Sequence, residues 1–438
     1  MSHRTGRNRG DVAMRNENNG RIIGIRHRIK ATAEGEARPT QIAIRKEYGD
    51  VSLYDLSDEQ AELDFLRGVF PVSFRSLTEH EGVTEVEERY LKMRVLRAGE
   101  DPPKAHLKIA EGKRYRITHV ADQFDGLQES DTVAMTLGGS GDYFAYALAR
   151  RGEEIGARVM RVPPFVLKEY RQDDNKGRDA ELLAELAKSR QGLFYELRVR
   201  DMEIIRLREA FNARQDAMKA RIACEQRLRQ HFIGSIFCNH DGYFPEGAIE
   251  KLYDERKAND VVYMALVAEE KARARELQKI VESSDVWRHV FSDIEGMGWA
   301  IAARIIAGIV DIRRFENASK FKAFCGVHVL SDGRFARLRS GEVANWHPDL
   351  RQALYLFGDQ MNRRPDSIWG KKLREYKVKF REKYPESVVG ENGKRRYGNA
   401  HIHKMAMWRT LTKFAELLFR EWSRLERDAK QESTRYAA

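Results

Sequence analysis

The stretch that most restricts the fold of this chain lies at residues 131–164. The segment "TVAMT" has the apolar character of a short strand, and a glycine-rich turn joins it to the helical pattern "GDYFAYALARRG". "GARVMRV" then has the character of another strand, and two prolines end it. A strand, a helix and a strand at this spacing form a βαβ unit, which requires parallel pairing and helices packed on the sheet. The sequence therefore predicts an α/β domain.

The turn at Gly138-Gly139-Ser140-Gly141 raises the question of a bound phosphate. Backbone N–H groups and the helix dipole converge where a glycine-rich loop meets a helix, and this layout favours an anion. The residues match neither the dinucleotide fingerprint nor a P-loop with its Lys and Ser/Thr. A nucleotide pocket is therefore the weaker hypothesis.

The amino-terminal region predicts further parts of this domain, which we place at residues 21–195. A strand opens at Arg21 in "RIIGIRHRIK", and "TQIAIRKEYG" is its expected hairpin partner. Residues 1–20 are polar and basic, which is typical of a flexible arm. "DLSDEQAELDFLRGVF" has helical spacing, but residues 84–120 follow no clear period, so we expect an insertion at about 51–130.

The middle of the chain predicts charged helices. "GRDAELLAELAKSR" indicates a helix whose start is marked by Asp179, and a long helical region runs from Arg200 to about Phe232. Seven residues between 206 and 229 are Arg or Lys, so one helix face is cationic and faces either solvent or nucleic acid. Residues 255–283 predict a second charged helix. We expect a helical hairpin or short coiled coil as a connector at 196–285.

A mostly helical terminal domain is expected at 286–425, followed by a tail at 426–438. Its start, "IEGMGWAIAARIIAGIVDIRRF", has Gly296 and Gly298 in a tight turn before an apolar helix, the pattern of a helix-hairpin-helix. Such a hairpin aims backbone N–H groups at a DNA phosphate, but it is also an ordinary packing corner, and the packing interpretation is favoured.

Charge restricts the partners. The chain has 78 Lys and Arg against 67 Asp and Glu, a formal charge of +11, which is the balance expected when the partner is a polyanion. The longest apolar stretch is interrupted by Arg304 and falls short of the ~20 residues that a membrane span needs. The basic amino terminus has no apolar segment behind it, and three cysteines without metal-ligand spacing suit a reducing cytoplasm. We therefore expect nucleic acid, not a membrane, as the partner.

Several segments in a fixed order resemble one family. They include "VLKEYRQDDNKGRDAELLAELA", "RLREAFNARQDAMKARIACEQRLR", "IEGMGWAIAARIIAGIVDIRRFENASKFKAFCGV" and "LRQALYLF". In these segments the chain resembles the DEDD-type transposases of insertion sequences, relatives of the Piv DNA invertase, in which a bridge RNA guides recombination. The resemblance covers roughly residues 21–50 and 130–425. It implies an RNase H-like domain whose four acids bind metal, a coiled-coil connector, and a carboxy-terminal domain with a serine nucleophile.

The four acids that the resemblance implies are mostly absent. Paired divalent metals need several hard oxygen ligands for phosphodiester transfer. The first position falls on Arg26 and the second on Thr136, while the last two fall on Lys176 and Asp179. Three further acids are candidate substitutes: Asp142, Asp173 and Asp174. Asp142 is equally explained as a first-turn helix acid and Asp179 as a helix N-cap.

The serine nucleophile has two candidates. Ser331, followed by Asp332-Gly333, is the best positional match in the family pattern, and Ser340 is the second. A serine attacks phosphorus only when a base, cation or metal activates it. The nearby cations that we expect to hold the phosphate are Arg334, Arg337 and Arg339.

A basic run at 369–384, "WGKKLREYKVKFREKY", interleaves cations such as Lys371 and Lys372 with aromatic residues. This pattern suits base stacking and phosphate contact, although a helix with an aromatic core face and a cationic solvent face produces the same string. His401 and His403 are discounted as a metal pair, because residues two apart share one side of a strand but not of a helix.

Two functions from different classes follow. The first is a cytoplasmic prokaryotic transposase or site-specific recombinase that binds DNA and a structured RNA, acts as a dimer or tetramer, and uses Ser331 with Mg²⁺ held by Asp179 and substitute acids. The second is a catalytically inactive descendant that binds nucleic acid or regulates. Arg26 distinguishes them, because a guanidinium in a metal pocket repels Mg²⁺ and favours phosphate. A decayed element with no present role is a third, weaker interpretation.

Overall fold

The computed structural model describes residues 20–29, 37–46, 50–78, 80–83, 85–136, 138, 141–172, 176–330, 334–337, 344–389 and 395–436. The chain divides into two compact units, residues 1–199 and 200–438. The first unit is mixed α/β and the second is mostly helical, which confirms the predicted α/β plus α fold class at that level.

The first unit consists of ten strands and four α-helices in its described part. They are β1 (Ile22–Arg26), β2 (Thr40–Arg45), β3 (Val51–Leu56), α1 (Glu59–Arg67), β4 (Phe70–Ser76), β5 (Leu91–Val95), β6 (Leu107–Ala110), β7 (Lys113–Asp125), β8 (Thr132–Thr136), α2 (Gly141–Ile155), β9 (Arg158–Val162), α3 (Pro164–Tyr170), α4 (Asp179–Ser189) and β10 (Tyr195–Leu197).

The main sheet has the strand order β10-β9-β8-β1-β2-β3. β1 pairs antiparallel with β2 and β2 antiparallel with β3, so these strands form a meander. β8 pairs parallel with both β1 and β9. The predicted hairpin of β1 and β2 and the predicted βαβ unit of β8, α2 and β9 are therefore confirmed.

Helices cover both faces of this sheet. On one face, Ile25, Val133 and Val159 pack with Phe144 and Leu148 of α2. On the other face, Ala134 and Val162 pack with α3 and α4. The alternation of side chains along each strand explains why these strands are apolar on both faces.

Gly24 controls how closely α4 approaches the sheet. A Cβ at this position would lie 1.9 Å from the carbonyl oxygen of Ala180 and 2.6 Å from the amide nitrogen of Ala184. Because both contacts are backbone atoms, only glycine allows this approach. It brings Asp179, the first residue of α4, beside the end of β1.

The aperiodic region forms a separate antiparallel sheet. Its long strand β7 pairs with β4, β5 and β6, and the sheet occupies Phe70–Asp125. The predicted insertion at about 51–130 thus includes this sheet, but its first strand, β3, pairs with β2 in the main sheet. Helix α1 confirms the helical spacing predicted for that segment.

The second unit is mostly helical in its described part. Its elements are α5 (Met202–Phe237), α6 (Ile249–Ala258), α7 (Val261–Ser283), α8 (Trp299–Ile309), α9 (Ala318–Phe324), α10 (Pro348–Arg363), α11 (Ile368–Lys383), β11 (Val388–Val389), β12 (Arg395–Arg396) and α12 (Asn399–Tyr436). Its core is apolar and includes Ile305, Phe357, Phe414 and Trp422.

The predicted single helix at 255–283 is interrupted. α6 ends at Ala258, and α7 begins at Val261. Asp260 is the cause, because its carboxylate accepts a hydrogen bond from the amide of Tyr263 at 2.8 Å and so caps a new helix. The prediction of one continuous helix is therefore wrong at this point.

The glycine turn before α8 is present as predicted. Gly296 has a φ of +88°, and Gly298 is the N-cap residue of α8. A Cβ at Gly296 would lie 3.1 Å from the Cβ of Gln360 in α10. The turn therefore packs on α10, which agrees with its interpretation as a packing corner.

Candidate functional site

Arg26 and Thr136 lie side by side at the ends of neighbouring strands. Ile25 of β1 pairs with Met135 of the parallel strand β8, so the residues that follow them adjoin on the face covered by α4. These are the positions at which the resemblance implies the first two metal-binding acids. The structure brings a guanidinium and a hydroxyl together there instead.

Arg26 is buried and poorly satisfied. It is 7% exposed, and its Nε and Nη1 have no hydrogen-bond partner among the described residues. Burial lowers the pKa of Arg26 from its ordinary value, and the carboxylates of Asp55 and Asp179 offset this only in part. An anion could supply the acceptors that these N–H groups lack.

Asp179 lies at the start of α4 and is already engaged. Its two carboxylate oxygens accept hydrogen bonds from Nε and Nη2 of Arg171 at 2.7 and 2.6 Å. The N-cap residue of α4 is Arg178, and Asp179 is the first helical residue, so the N-cap interpretation of Asp179 is wrong. A bidentate ion pair between an arginine and a carboxylate competes with metal binding by the same carboxylate.

Asp142, the candidate substitute acid on α2, approaches the sheet from the opposite face. Its carboxylate binds the guanidinium of Arg161, and both side chains are almost fully buried. The backbone amide of Gly138 also donates to Asp142, at 3.1 Å. Arg161 lies on the α2 face of β9, whereas Arg26 lies on the α4 face of β1. The structure therefore does not bring Asp142 together with Asp179.

The remaining acid positions add no ligand within the described residues. Lys176 begins a short 3₁₀ turn that leads into α4. Asp173 and Asp174 lie outside the described residues. The described part of the chain contains no group of three or more His, Cys, Asp or Glu side chains placed to hold a metal ion. These residues do not fit a Mg²⁺ site.

The region of the candidate serine nucleophile forms a hairpin in the second unit. Val329 pairs with Phe335, and the amide of Leu330 donates to the carbonyl oxygen of Arg334 at 2.8 Å. Ser331 is between these paired positions in sequence, but Ser331, Ser340 and Arg339 lie outside the described residues. Arg334 and Arg337 are exposed.

Arg351 supports this hairpin from α10. Its Nη2 donates to the carbonyl oxygen of Ala336 at 2.7 Å, and its guanidinium lies 4.3 and 4.6 Å from the ring centres of Trp346 and Trp408. Burial lowers the pKa of Arg351. Burial and this cation also lower the pKa of His328, whose Nδ1 has no partner among the described residues. The sequence interpretation missed both residues, although the segment "LRQALYLF" contains Arg351.

The basic run at 369–384 lies on α11, and its two kinds of residue have different roles. Trp369, Tyr376 and Phe380 pack against the helical core. Lys371 is exposed, and Lys372 pairs with Glu375 at 3.0 Å. The aromatic residues thus form a core face, as the alternative interpretation expected, and the cations line the surface.

The cationic face of α5 is partly neutralised within the unit. Arg221 binds Glu270 of α7 at 2.5 Å, and Arg214 lies 3.5 Å from the same carboxylate. Arg229 binds Glu250 of α6 at 2.6 Å. These pairs join α5 to α6 and α7, so this face is in part a helix-packing surface.

Part of the sequence of the second unit matches a known protein family. Residues 288–372 match the family model described as Transposase IS116/IS110/IS902 family. This segment is similar to insertion-sequence transposases. It extends from the π-helical turn at Trp287–Phe291, through the hairpin in which Val329 pairs with Phe335, to the start of α11. The match supports a transposase role for the chain.

No curated protein matches the sequence. Within the described residues, no helix combines the length and apolar character that crossing a membrane requires.

Proposed function

We propose that this protein is an insertion-sequence transposase that binds DNA and a structured RNA and transfers phosphodiesters with Ser331, in the cytoplasm of a prokaryote. The observation that carries the proposal is the transposase-family match at 288–372, which includes the segment of Ser331. The formal charge of +11 supports a polyanionic partner.

The architecture is consistent with this function. A three-strand meander extended on its first strand by two parallel strands, β8 and β9, is the arrangement expected of an RNase H-like domain. The ion pairs that join α5 to α7 suit a coiled-coil connector. We propose further that the protein acts as a dimer or tetramer.

In the proposed reaction, Oγ of Ser331 attacks phosphorus. A bond forms between this oxygen and phosphorus, the bond from phosphorus to the leaving nucleoside oxygen breaks, and the proton lost by the serine hydroxyl ends on that leaving oxygen. Arg334, Arg337 and Arg339 hold the phosphate, because guanidinium groups match its oxygens. Arg351 positions the hairpin through the carbonyl oxygen of Ala336.

A second candidate function is a catalytically inactive descendant that binds nucleic acid. The cations around the sheet site favour it: Arg26 is buried without a full set of partners, and Asp179 is bound by Arg171. On this interpretation, Arg26 and the loop from Gly138 to Gly141 hold a phosphate of bound nucleic acid. Gly139 and Ser140 of that loop lie outside the described residues.

A strand-exchange assay separates the two functions. The substrate is double-stranded DNA carrying the end sequences of the element, in Mg²⁺ or Mn²⁺, and the variants are Ser331→Ala and Asp179→Ala. The transposase proposal requires products that Ser331→Ala abolishes, with Ser340→Ala as the matched control that keeps activity. Activity lost in Asp179→Ala as well would show that the reaction needs Asp179, either as a metal ligand or as the partner of Arg171.

If the natural chain yields no strand-exchange products, a second experiment tests whether the missing acids are the cause. The double variant Arg26→Asp, Thr136→Glu restores two of the missing acids, and isothermal titration measures its Mg²⁺ binding. Mg²⁺ binding by the double variant but not by the natural chain would support the inactive descendant. Unchanged strand exchange in Ser331→Ala would contradict the assignment of the nucleophile.

A further inference from the structure

Three aromatic rings form a parallel column on the surface of the second unit. Tyr384 follows α11, Tyr397 follows β12, and His401 lies in the first turn of α12. The ring centres of Tyr384 and Tyr397 are 4.0 Å apart at an interplanar angle of 4°. The rings of Tyr397 and His401 are 5.5 Å apart at 2°. All three side chains are half-buried.

Hydrogen bonds hold this column in place. Nη1 of Arg381 donates to the carbonyl oxygens of Tyr384 and Tyr397, at 3.3 and 3.0 Å, and its Nη2 donates to Oδ1 of Asn399 at 2.7 Å. The amide of Tyr397 donates to Nδ1 of His401 at 3.0 Å. Tyr397 has a φ of +58°, a conformation that a non-glycine residue keeps only where its surroundings enforce it. The column is therefore preorganised.

Cations surround the column. The ammonium of Lys383 lies over the ring of Tyr384, 5.5 Å from its centre. Burial lowers the pKa of His401, and the charges of Arg337, Arg396 and Lys404 lower it further. The described part of the chain shows no ion pair for Lys383 or for these three cations. Their charge is therefore available to an anionic partner.

A shallow groove of about 550 Å³ adjoins the column. Its lining includes Lys377, Arg381, Asn399 and His403. His401 and His403, discounted as a metal pair, both lie on α12. His401 belongs to the column, and His403 lines the groove. Glu382 is the one acid of the lining.

We propose that the column of Tyr384, Tyr397 and His401 binds an unpaired nucleotide of single-stranded nucleic acid, with its base stacked on Tyr384 and its flanking phosphates on the surrounding cations. A base within a duplex has both faces covered by its neighbours, so only an unpaired base offers a free face to an aromatic ring. Displacing the flexible Lys383 side chain uncovers the ring, and the ammonium remains near for a phosphate.

The inference rests on the proposed function and adds a place and a strand type to it. Arg337 is six residues beyond Ser331 in sequence and is also close enough to His401 to affect its pKa. Arg337 therefore links the column to the segment that follows the candidate nucleophile in sequence.

The test uses the full-length chain and a short single-stranded DNA that contains the fluorescent base 2-aminopurine. Stacking on an aromatic ring quenches this base. We expect quenching by the natural chain, binding weakened about tenfold in Tyr384→Leu, and near-natural binding in Tyr384→Phe, because a base–aromatic stack contributes that much to affinity. Tyr243→Leu is the matched control, because Tyr243 is an exposed tyrosine of the same unit, 70% accessible.

The outcomes separate this inference from the proposed function. Tight binding that is unchanged in Tyr384→Leu, or equal quenching in a blunt duplex of the same sequence, overturns the column as a single-strand site but leaves nucleic-acid binding intact. No binding of any DNA or RNA at low salt overturns the proposed function itself. The melting temperature of Tyr384→Leu is measured alongside, and rescue by Tyr384→Phe shows that the lost ring, not a misfolded chain, causes the defect.

Discussion

Replacing Arg26 with methionine should stabilise the first unit while weakening its binding of nucleic acid. Arg26 is 7% exposed, and two of its guanidinium nitrogens have no hydrogen-bond partner among the described residues. A buried polar group without partners costs about 1–3 kcal/mol, and methionine fills a similar volume without that cost. The charge also carries a desolvation penalty, which is why burial lowers the pKa of Arg26.

The size of the effect is measurable by thermal unfolding. In a unit of this length, 1 kcal/mol corresponds to about 2–4 °C in Tm. We therefore expect Arg26→Met to raise the Tm of the first transition by at least about 2 °C. The matched control is Arg150→Met, which removes an exposed arginine of α2 and should leave Tm unchanged.

The same substitution should change DNA affinity in the direction opposite to its effect on stability. DNA affinity at low salt should fall more in Arg26→Met than in Arg150→Met, although each variant loses one positive charge. Stability gained and affinity lost would mark Arg26 as a residue kept for binding at a cost in folding. A Tm lowered by Arg26→Met would refute this reasoning, because it would mean that the guanidinium has stabilising partners.

Other perturbations test the packing, the buried ion pair, the histidines and the charge. Gly24→Ala should cost about 1–3 kcal/mol or more in urea unfolding, because its Cβ would collide with the backbone of Ala180; normal stability would contradict the close approach of α4. Arg161→Met should cost about 3–5 kcal/mol by leaving the buried carboxylate of Asp142 without its cation, and Asp142→Leu added to it should recover part of that loss. The pKa of the His401 ring is lower in the folded chain than its ordinary value of 6.5, so protonation below pH 6.5 favours the unfolded chain and stability falls there. The Tm should therefore decrease from pH 7 to pH 5 by less in His401→Gln than in the natural chain. DNA binding measured at several salt concentrations should weaken steeply as salt rises, and a flat dependence would exclude counterion release as its source.

Local patterns in the sequence determined much of the framework. The strand, turn and helix at 131–155 follow from apolar runs and glycine punctuation, and the buried helix α8 follows from an almost uninterrupted apolar segment. These features depend on neighbours within a few residues, which is why composition and periodicity reveal them. The missing acids at Arg26 and Thr136 were likewise visible in the sequence alone.

Only the tertiary structure decided which residues meet. The sheet at Phe70–Asp125 has no simple period because its strands are exposed to different degrees and their register depends on distant partners. The partners of Asp142 and Asp179 are also set by packing, since Arg161 of β9 binds the first carboxylate and Arg171, which follows α3, binds the second. Tyr384 and Tyr397 stack across a hairpin whose closure brings them together. Such contacts are set by the packing of whole elements, and no local pattern records them.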